Sequence, residues 1–312
     1  MIWKSKDLLS IEELSKNEIE TILETAVSFK SVSERTVKKV PTLRGKTVVL
    51  FFQEPSTRTR TSFELASKRL SADNLTIQSS ASSLTKGETL LDTMKTLESM
   101  KIDALVIRHS CSGIPHLLAQ SMQASVINAG DGFHEHPTQA LLDLLTVREN
   151  HPHLDQLTIT FVGDILHSRV VRSNIYAFKK MGARIRVCGP PTLLPKDFEK
   201  WGVEVFYHLD AALQGTDVIY VLRLQLERQK KNLFPTLREY SQLYGITSDR
   251  LLKANSGAIV LHPGPMNRGI EISSGVADGS AARIDDQVSN GVAIRMAVLY
   301  LLLGENPERR TP

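Results

Sequence analysis

The segment 47-TVVLFFQEPSTRTRTSFELASKRL-70 decides the fold, because within it a buried strand passes directly into a helix. Residues 47–52 are a continuous apolar run, which is typical of strands covered on both faces. Residues 62–70 follow with a helical pattern, and hydroxyl side chains alternate with Arg58 and Arg60 just before it. A helix N-terminus offers N–H groups and the positive end of the helix dipole, and arginine binds phosphate oxygens with two donors. The segment therefore predicts a phosphate site. The alternative is a capping hydroxyl beside two solvated arginines.

The composition is that of an ordinary globular protein, with 41% hydrophobic and 23% charged residues. A length of 312 residues predicts two domains of about 150 residues each. The formal net charge of +4 suits small anionic substrates. No Lys/Arg block with interleaved aromatics indicates nucleic acid, and the apolar runs are too short to predict a membrane span. Cys111 and Cys188 lack the spacing of metal ligands, and no signal pattern is seen, so a cytoplasmic location is expected.

Short apolar runs alternate with helical patterns along the whole chain, and this alternation predicts parallel sheets covered by helices. The fold class is therefore α/β, with two domains that each contain a parallel β-sheet flanked by helices. The predicted strands are 47–52, 75–78, 104–108, 124–128, 157–162, 184–188, 203–206, 217–222 and 258–261. The predicted helices are 7–30, 61–71, 87–100, 113–121, 137–149, 168–181, 208–214, 248–253 and 290–303.

The polar stretch 150-NHPH-153 separates a predicted helix from a new strand, and we place the domain boundary there. The first domain then covers residues 1–150 and the second covers 151–289. The last predicted helix, residues 290–304, is strongly apolar and must be buried. We expect it to pack back on the first domain.

Ligands of open parallel sheets bind beyond the carboxyl ends of the strands, so polar residues at these ends are candidates for a site. Arg108 directly follows the apolar run 104–107, and 134-HEHPTQ-139 opens a helix after the next strand. His136 and Gln139 are one helical turn apart, on one face. His134, Glu135 and His136 could suggest a metal, but adjacent residues point apart and no further ligand pattern completes a site. We therefore expect no metal.

The run 56-STRTR-60 resembles the carbamoyl-phosphate loop of the carbamoyltransferases. The resemblance implies that Ser56, Thr57, Arg58 and Thr59 hold the phosphate group. It also implies that Thr59, Arg108 and His136 polarise the carbamoyl oxygen, where negative charge develops in the tetrahedral intermediate. The carbamoyl NH₂ group is then expected to bind to Gln139.

The run 82-SSLTKGET-89 resembles the mobile loop that aspartate carbamoyltransferases insert into the active site of a neighbouring subunit. A flexible Ser/Gly turn would be the ordinary interpretation of such a loop. The resemblance instead implies that Ser82 and Lys86 act in the site of a neighbour, so that a homotrimer shares its active sites. Lys86 is then expected to contact both carbamoyl phosphate and aspartate.

The second domain carries three further motifs of the same family. By resemblance, Arg169 in 161-FVGDILHSR-169 binds one carboxylate of L-aspartate, and the Arg223-x-Gln225 pair binds the other. The resemblance also assigns the amino-group site to the backbone carbonyls of Pro263 and Gly264 in 262-HPGP-265, where some members carry leucine instead of glycine. The rigid turn made by the two prolines favours a cis peptide bond before Pro265.

The chain therefore resembles the aspartate carbamoyltransferases over nearly its whole length. The implied reaction transfers the carbamoyl group of carbamoyl phosphate to L-aspartate, an early step of de novo pyrimidine synthesis, without a cofactor. An ornithine carbamoyltransferase is the nearest alternative, although Lys86 and Arg223-x-Gln225 argue against it. Two alternatives belong to other classes of protein: an inactive scaffold for dihydroorotase, and a dehydrogenase. A dehydrogenase is disfavoured because this sequence lacks the G-x-G-x-x-G fingerprint. Regulatory chains or a dihydroorotase partner leave no mark in the sequence.

Overall fold

The computed structural model describes residues 3–78, 87–225 and 236–304. The candidate residues Ser82 and Lys86 lie outside these ranges. The chain forms two compact units, of which the first comprises Met1–Leu142 with Val288–Pro312 and the second comprises Asp143–Gln287.

The first unit is built on a four-stranded parallel sheet in the order β2-β1-β3-β4. Its strands are β1 Thr47–Phe52, β2 Asp73–Gln78, β3 Ala104–His109 and β4 Ser125–Asp131. The helices that begin in this part of the chain are α1 Lys16–Lys30, α2 Thr57–Arg69, α3 Leu90–Ser99, α4 Ile114–Ser121 and α5 Pro137–Asn150. Strands β1 and β3 are buried at nearly every position, because helices cover both faces of a parallel sheet.

The second unit is built on a five-stranded parallel sheet in the order β7-β6-β5-β8-β9. Its strands are β5 Thr158–Val162, β6 Arg184–Cys188, β7 Glu204–Phe206, β8 Val218–Val221 and β9 Ile259–Leu261. The helices are α6 Arg169–Lys180, α7 Leu209–Leu213, α8 Leu237–Tyr244, α9 Ser248–Leu251 and α10 Ser274–Ala277, and α11 Ile284–Leu303 follows them. The predicted fold class of two parallel-sheet α/β domains is confirmed.

The C-terminal helix α11 packs on α1 and α2, as the sequence predicted. The ring of Tyr300 lies edge-on to that of Phe29 in α1, with 5.4 Å between the ring centres. The guanidinium of Arg295 lies over the ring of Phe63 in α2, at 5.1 Å from its centre. Most apolar side chains of α11, including Ile294, Met296 and Val298, are buried, and the removal of apolar surface from water is the main source of stabilisation for such a helix.

Two predicted helix starts are wrong. The first helix begins at Lys16 rather than near residue 7, because Ser15 and Glu18 form a capping box that fixes the start. Before it, Leu8 runs beside β4 and its N–H donates to the carbonyl of Val126. Helix α11 begins at Ile284, six residues before the predicted start. Two aspartates in its first turn stabilise this start, because their negative charges face the positive end of the helix dipole.

Candidate active site

One group of candidate residues lies at the switch point of the first unit's sheet, where the strand order reverses between β1 and β3. Strand β1 lies between β2 and β3, so the connections that follow β1 and β3 lead to opposite sides of the sheet: from β1 to β2, and from β3 to β4. Such a switch point opens a crevice beyond the carboxyl ends of the two strands. Phe52, the last residue of β1, is in register with Arg108 of β3. The predicted phosphate loop and Arg108 therefore come to the same edge of the sheet.

The phosphate loop forms the first turn of α2. Ser56 is the N-cap residue, with extended backbone angles, yet its side chain makes no capping hydrogen bond. The first turn contains no acidic residue, whereas Thr57 and Arg58 are exposed there. The alternative interpretation of a capping hydroxyl does not fit Ser56. What the turn presents is a set of hydroxyls and positive charge at the positive end of a helix dipole, which suits an anion.

Thr59 and His136 bring the phosphate loop to the start of α5. Thr59 Oγ1 is 3.5 Å from His136 Nε2, and both side chains are buried. The N–H of Gln139 donates to the carbonyl of His136 at 3.0 Å, and this bond fixes the first turn of α5. Thr59, His136 and Gln139 are thus held by the ends of three elements, α2, β4 and α5, that meet at one edge of the sheet.

Arg108 is held by a partner that the sequence analysis missed. Its Nη2 atom is 3.1 Å from Glu54 Oε1, and its Nη1 atom donates to the carbonyl of Ala129 at 3.4 Å. The side chains of Arg108 and Glu54 are only 12% and 23% exposed, so solvent screens this pair less than a surface pair. Glu54 lies two residues after β1, a position from which a carboxylate can orient Arg108.

His134 and Glu135 have separate structural partners and do not form a metal centre with His136. Glu135 is buried and accepts the N–H groups of Ile11 and Glu12. His134 Nδ1 is 3.1 Å from Asp131 Oδ2, and this hydrogen bond raises the pKa of His134. Within the described ranges, no three His, Cys, Asp or Glu side chains are arranged to hold a metal ion.

A second group of candidate residues lies at the corresponding switch point of the second unit's sheet, between β5 and β8. Gly163 follows β5 with φ +128°, a conformation that side-chain-bearing residues rarely adopt. A Cβ atom there would lie 2.8 Å from the carbonyl oxygen of Leu222, which follows β8. The glycine therefore lets the two strand ends approach each other.

Asp164 organises the loop between β5 and α6. Its Oδ1 accepts the N–H of His167 at 3.2 Å and lies 2.8 Å from His167 Nδ1, and its Oδ2 accepts the N–H of Gln225 at 3.4 Å. The side-chain amide of Gln225 in turn donates to the carbonyl of His167 at 3.2 Å. Arg169 is the first residue of α6, capped by Ser168, and is only 4% exposed. Gln225 is therefore bonded to the loop that leads into Arg169, through Asp164 and His167, two residues that the sequence analysis did not single out.

Arg223 and the turn 262–265 complete the candidates of the second unit. Arg223 is half-buried in the segment that follows β8, two residues before Gln225. The peptide bond between Gly264 and Pro265 is cis, as predicted, and Gly264 has a φ of +62°. Pro263 and Gly264 are half-buried.

Comparisons with known proteins match both units. Residues 6–149 match the profile of the aspartate/ornithine carbamoyltransferase carbamoyl-P binding domain. Residues 155–302 match the profile of the Asp/Orn binding domain of the same family. The chain belongs to the aspartate/ornithine carbamoyltransferase family. As a carbamoyltransferase, it carries the family's two domains in the family's order.

The most similar relatives of this carbamoyltransferase include two bacterial aspartate carbamoyltransferase catalytic subunits. That of Syntrophotalea carbinolica is 60% identical over 304 residues, which cover 97% of each chain. That of Moorella thermoacetica is also 60% identical, over 97% of this chain and 99% of its own. Full-length coverage at this identity leaves no large segment of either protein without a counterpart.

Solved structures of both branches of the family resemble this carbamoyltransferase. Aspartate transcarbamoylase from Trypanosoma cruzi, in complex with N-(phosphonacetyl)-L-aspartic acid, matches with a TM-score of 0.87 and 31% identity, over 97% of both chains. Ornithine carbamoyltransferase from Pyrococcus furiosus matches with a TM-score of 0.86 and 30% identity, over 97% of this chain and 98% of the other. The fold alone therefore does not distinguish the two acceptors. In the part of the chain that the structure describes, no helix is long and apolar enough to cross a membrane.

Proposed function

We propose that this chain is the catalytic chain of an aspartate carbamoyltransferase. It transfers the carbamoyl group of carbamoyl phosphate to the amine of L-aspartate and releases N-carbamoyl-L-aspartate and phosphate. The relatives at 56–60% identity are named as aspartate carbamoyltransferase catalytic subunits, which supports this acceptor over ornithine. The candidate residues are intact, and an inactive scaffold would have no use for them.

The observation that carries the choice of aspartate is the hydrogen bond from the side-chain amide of Gln225 to the carbonyl of His167. This bond ties the Arg223-x-Gln225 segment to the loop that leads into Arg169. Two guanidiniums are the natural partners of a dicarboxylate, because each can bind one carboxylate with two donors. The side chain of ornithine ends in an ammonium group, which two arginines would repel.

In the proposed mechanism the first unit binds carbamoyl phosphate. Ser56, Thr57, Arg58 and Thr59 hold the phosphate group at the N-terminus of α2. Thr59, Arg108 and His136 donate to the carbamoyl oxygen, and Gln139 accepts from the carbamoyl NH₂. Donors that are fixed before the reaction stabilise the oxyanion of the tetrahedral intermediate without further reorganisation.

The second unit supplies the acceptor. Arg169, Arg223 and Gln225 hold the carboxylates of L-aspartate, and the carbonyls of Pro263 and Gly264 accept from its amine. The uncharged amine attacks the carbamoyl carbon, the C–O bond to phosphate breaks, and the departing phosphate takes the amine proton. This sequence needs no cofactor and no metal.

The proposal extends to the assembly and the setting. The carbamoyl-phosphate-binding domain comprises residues 1–150 with the C-terminal helix, and the aspartate-binding domain comprises 151–289. Three chains form a homotrimer in which Ser82 and Lys86 complete a neighbour's site, and regulatory chains or dihydroorotase are candidate partners. The enzyme works in the cytoplasm, in an early step of pyrimidine synthesis.

A product assay with carbamoyl phosphate and either L-aspartate or L-ornithine tests the proposal. We expect N-carbamoyl-L-aspartate and no citrulline. Arg223→Met should raise the KM for aspartate about tenfold or more, because it removes one of the two carboxylate partners, whereas Arg238→Met on the exposed face of α8 is the matched control. Carbamoylation of ornithine without that of aspartate would show that the acceptor is wrong.

A further inference from the structure

A chain of buried hydrogen bonds connects the two ends of the second unit to the turn 262–265. The chain enters this unit at Asp143 and leaves it at Gln287. Gln287 Nε2 donates to Asp143 Oδ1 at 2.7 Å, and Gln287 Oε1 accepts the N–H of His262 at 2.9 Å. Asp143, Gln287 and His262 are 0%, 3% and 1% exposed, so water cannot replace these bonds.

Asp143 is itself fixed by two further donors. Its Oδ2 accepts from Asn174 Nδ2 and from the hydroxyl of Tyr220, both at 2.8 Å. The Asp143 carboxylate therefore accepts from three donors, which are the side chains of Asn174, Tyr220 and Gln287. The side-chain amide of Gln287 has only one orientation that satisfies both neighbours, since its nitrogen must face Asp143 and its oxygen must face His262.

The N–H groups of the turn are used up inside the protein. The N–H of Gly264 donates to His262 Nδ1 at 2.8 Å, and the N–H of Asn267 donates to Glu271 Oε1 at 2.6 Å. Pro263 and Pro265 have no N–H. The carbonyls of Pro263 and Gly264 accept no hydrogen bond within the described residues. The turn can therefore present two carbonyl oxygens to an amine, while its own N–H groups, those of His262 and Gly264, are bonded inside the protein.

We propose that Asp143 and Gln287 are positioning residues for the acceptor amine. They fix the N–H of His262, and through it the direction of the Pro263 and Gly264 carbonyls. The inference rests on the proposed function, because it assigns the turn to the amine of L-aspartate. Neither residue touches the substrate; both act through the turn.

The test exchanges the donor and the acceptor of the hydrogen bond from Gln287 to Asp143. Gln287→Glu would set two carboxylates against each other in a buried place, which is strongly unfavourable. Asp143→Asn together with Gln287→Glu restores the bonds between Asp143, Gln287 and His262. The new amide nitrogen donates to one oxygen of the new carboxylate, whose other oxygen still accepts from His262. Gln287→Met removes both bonds without adding charge, and it keeps the test open if Gln287→Glu does not fold.

Steady-state kinetics and the binding of carbamoyl phosphate are measured for each variant. Gln287→Met and Gln287→Glu should raise the KM for L-aspartate about tenfold, while the Kd for carbamoyl phosphate stays within about twofold of the wild type. The double variant should return the KM to within about threefold of the wild type. Thr160→Val is the control, because it breaks a buried hydroxyl pair with Thr216 in the same unit, 2.7 Å apart, that does not lead to the turn.

Amide hydrogen exchange over residues 259–267 provides a readout that does not depend on the substrate. Exchange at His262 and Gly264 should be faster in Gln287→Met and normal in the double variant. If the KM for aspartate rises in proportion to the loss of thermal stability in both Gln287→Met and Thr160→Val, the positioning role is wrong. It is also wrong if the KM of the double variant does not recover. If the wild type does not carbamoylate aspartate, the proposed function fails, whereas normal exchange in Gln287→Met would overturn the inference itself.

Discussion

Thr59 Oγ1 lies 3.5 Å from His136 Nε2, so the first turn of α2 and the start of α5 meet at one point. Thr59 belongs to the phosphate loop, and His136 comes from the segment after β4. Neither residue is near the other in the sequence; the parallel sheet brings them together by aligning the carboxyl ends of its strands. In the proposed mechanism this hydroxyl and this imidazole are two of the donors to the developing oxyanion.

The first prediction concerns the oxyanion donors. His136→Ala or Arg108→Ala should lower kcat by roughly 10²–10³-fold, which is the usual effect of removing one such donor. The fold should persist, because each side chain lies at the carboxyl edge of the sheet and not in its apolar core. Steady-state kinetics and circular dichroism measure the two effects.

His116→Ala is the matched control for His136. His116 lies on α4, where it contacts Glu13 at 3.2 Å, and it has no role in the proposed mechanism. Its replacement should leave kcat near that of the wild type. A near-normal kcat for His136→Ala would remove that residue from the mechanism.

The second prediction concerns the ion pair between Glu54 and Arg108. In this chain the guanidinium is 3.1 Å from the carboxylate, so carbamoyl phosphate, whose carbamoyl oxygen we assign to Arg108, must compete with Glu54 for the same positive charge. Glu54→Gln should therefore tighten the binding of carbamoyl phosphate by about threefold to tenfold, since a half-buried ion pair contributes modestly. Isothermal titration calorimetry measures the Kd. Weaker binding would mean that Glu54 positions Arg108 for the anion and does not compete with it.

The fold was largely predictable from the sequence, because buried parallel strands leave a strong local pattern. The strands predicted over 47–52 and 184–188 are observed with the same bounds, as β1 and β6. Helix ends were less predictable, because they depend on capping contacts. The start of α1 at Lys16 is set by Ser15 and Glu18, and the helical spacing of apolar residues before it belongs to a segment that runs beside β4.

The site was predictable only where a motif is local. The loop 56–60 alternates hydroxyls with two arginines just before a predicted helix, and this local pattern predicts an anion site. Glu54, Asp164 and His167 carry no such signal, because each is an ordinary residue that matters only through a partner distant in sequence. The register of Phe52 with Arg108 in neighbouring strands, which brings Glu54 to Arg108, is a property of the folded sheet.

The third prediction concerns the backbone at Gly163. Gly163→Ala combines an unfavourable φ of +128° with a Cβ atom only 2.8 Å from the Leu222 carbonyl oxygen. It should lower the free energy of unfolding by about 2 kcal/mol or more. It should also raise the KM for aspartate, because the next residue, Asp164, accepts a hydrogen bond from Gln225, which we assign to aspartate binding. Gly215→Ala is the control: its φ is +69°, nothing lies within 4 Å of the added Cβ, and it should cost only about 1 kcal/mol. Equal losses in chemical denaturation would show that the close approach is not important.

The fourth prediction concerns the sharing of active sites, which follows from the proposed homotrimer. If each site takes Arg58 from its own chain and Lys86 from a neighbour, two inactive variants should complement each other. Arg58→Ala and Lys86→Ala chains are purified separately, dissociated, mixed in equal amounts and reassembled. A site is intact when one chain supplies Arg58 and its neighbour supplies Lys86, so random assembly into a closed ring restores about a quarter of the sites.

The control for this experiment is a mixture of Arg58→Ala with Arg108→Ala. Both residues lie in the same unit of one chain, so no arrangement of these two variants produces an intact site, although the mixed trimers form in the same way. Activity should therefore rise toward a quarter of the wild-type value in the first mixture and stay at the parental level in the second. If mass spectrometry shows mixed trimers in both and neither gains activity, each chain has a complete site of its own. Lys86 would then act in its own subunit, and the resemblance of 82–89 to an inserted loop would be misleading.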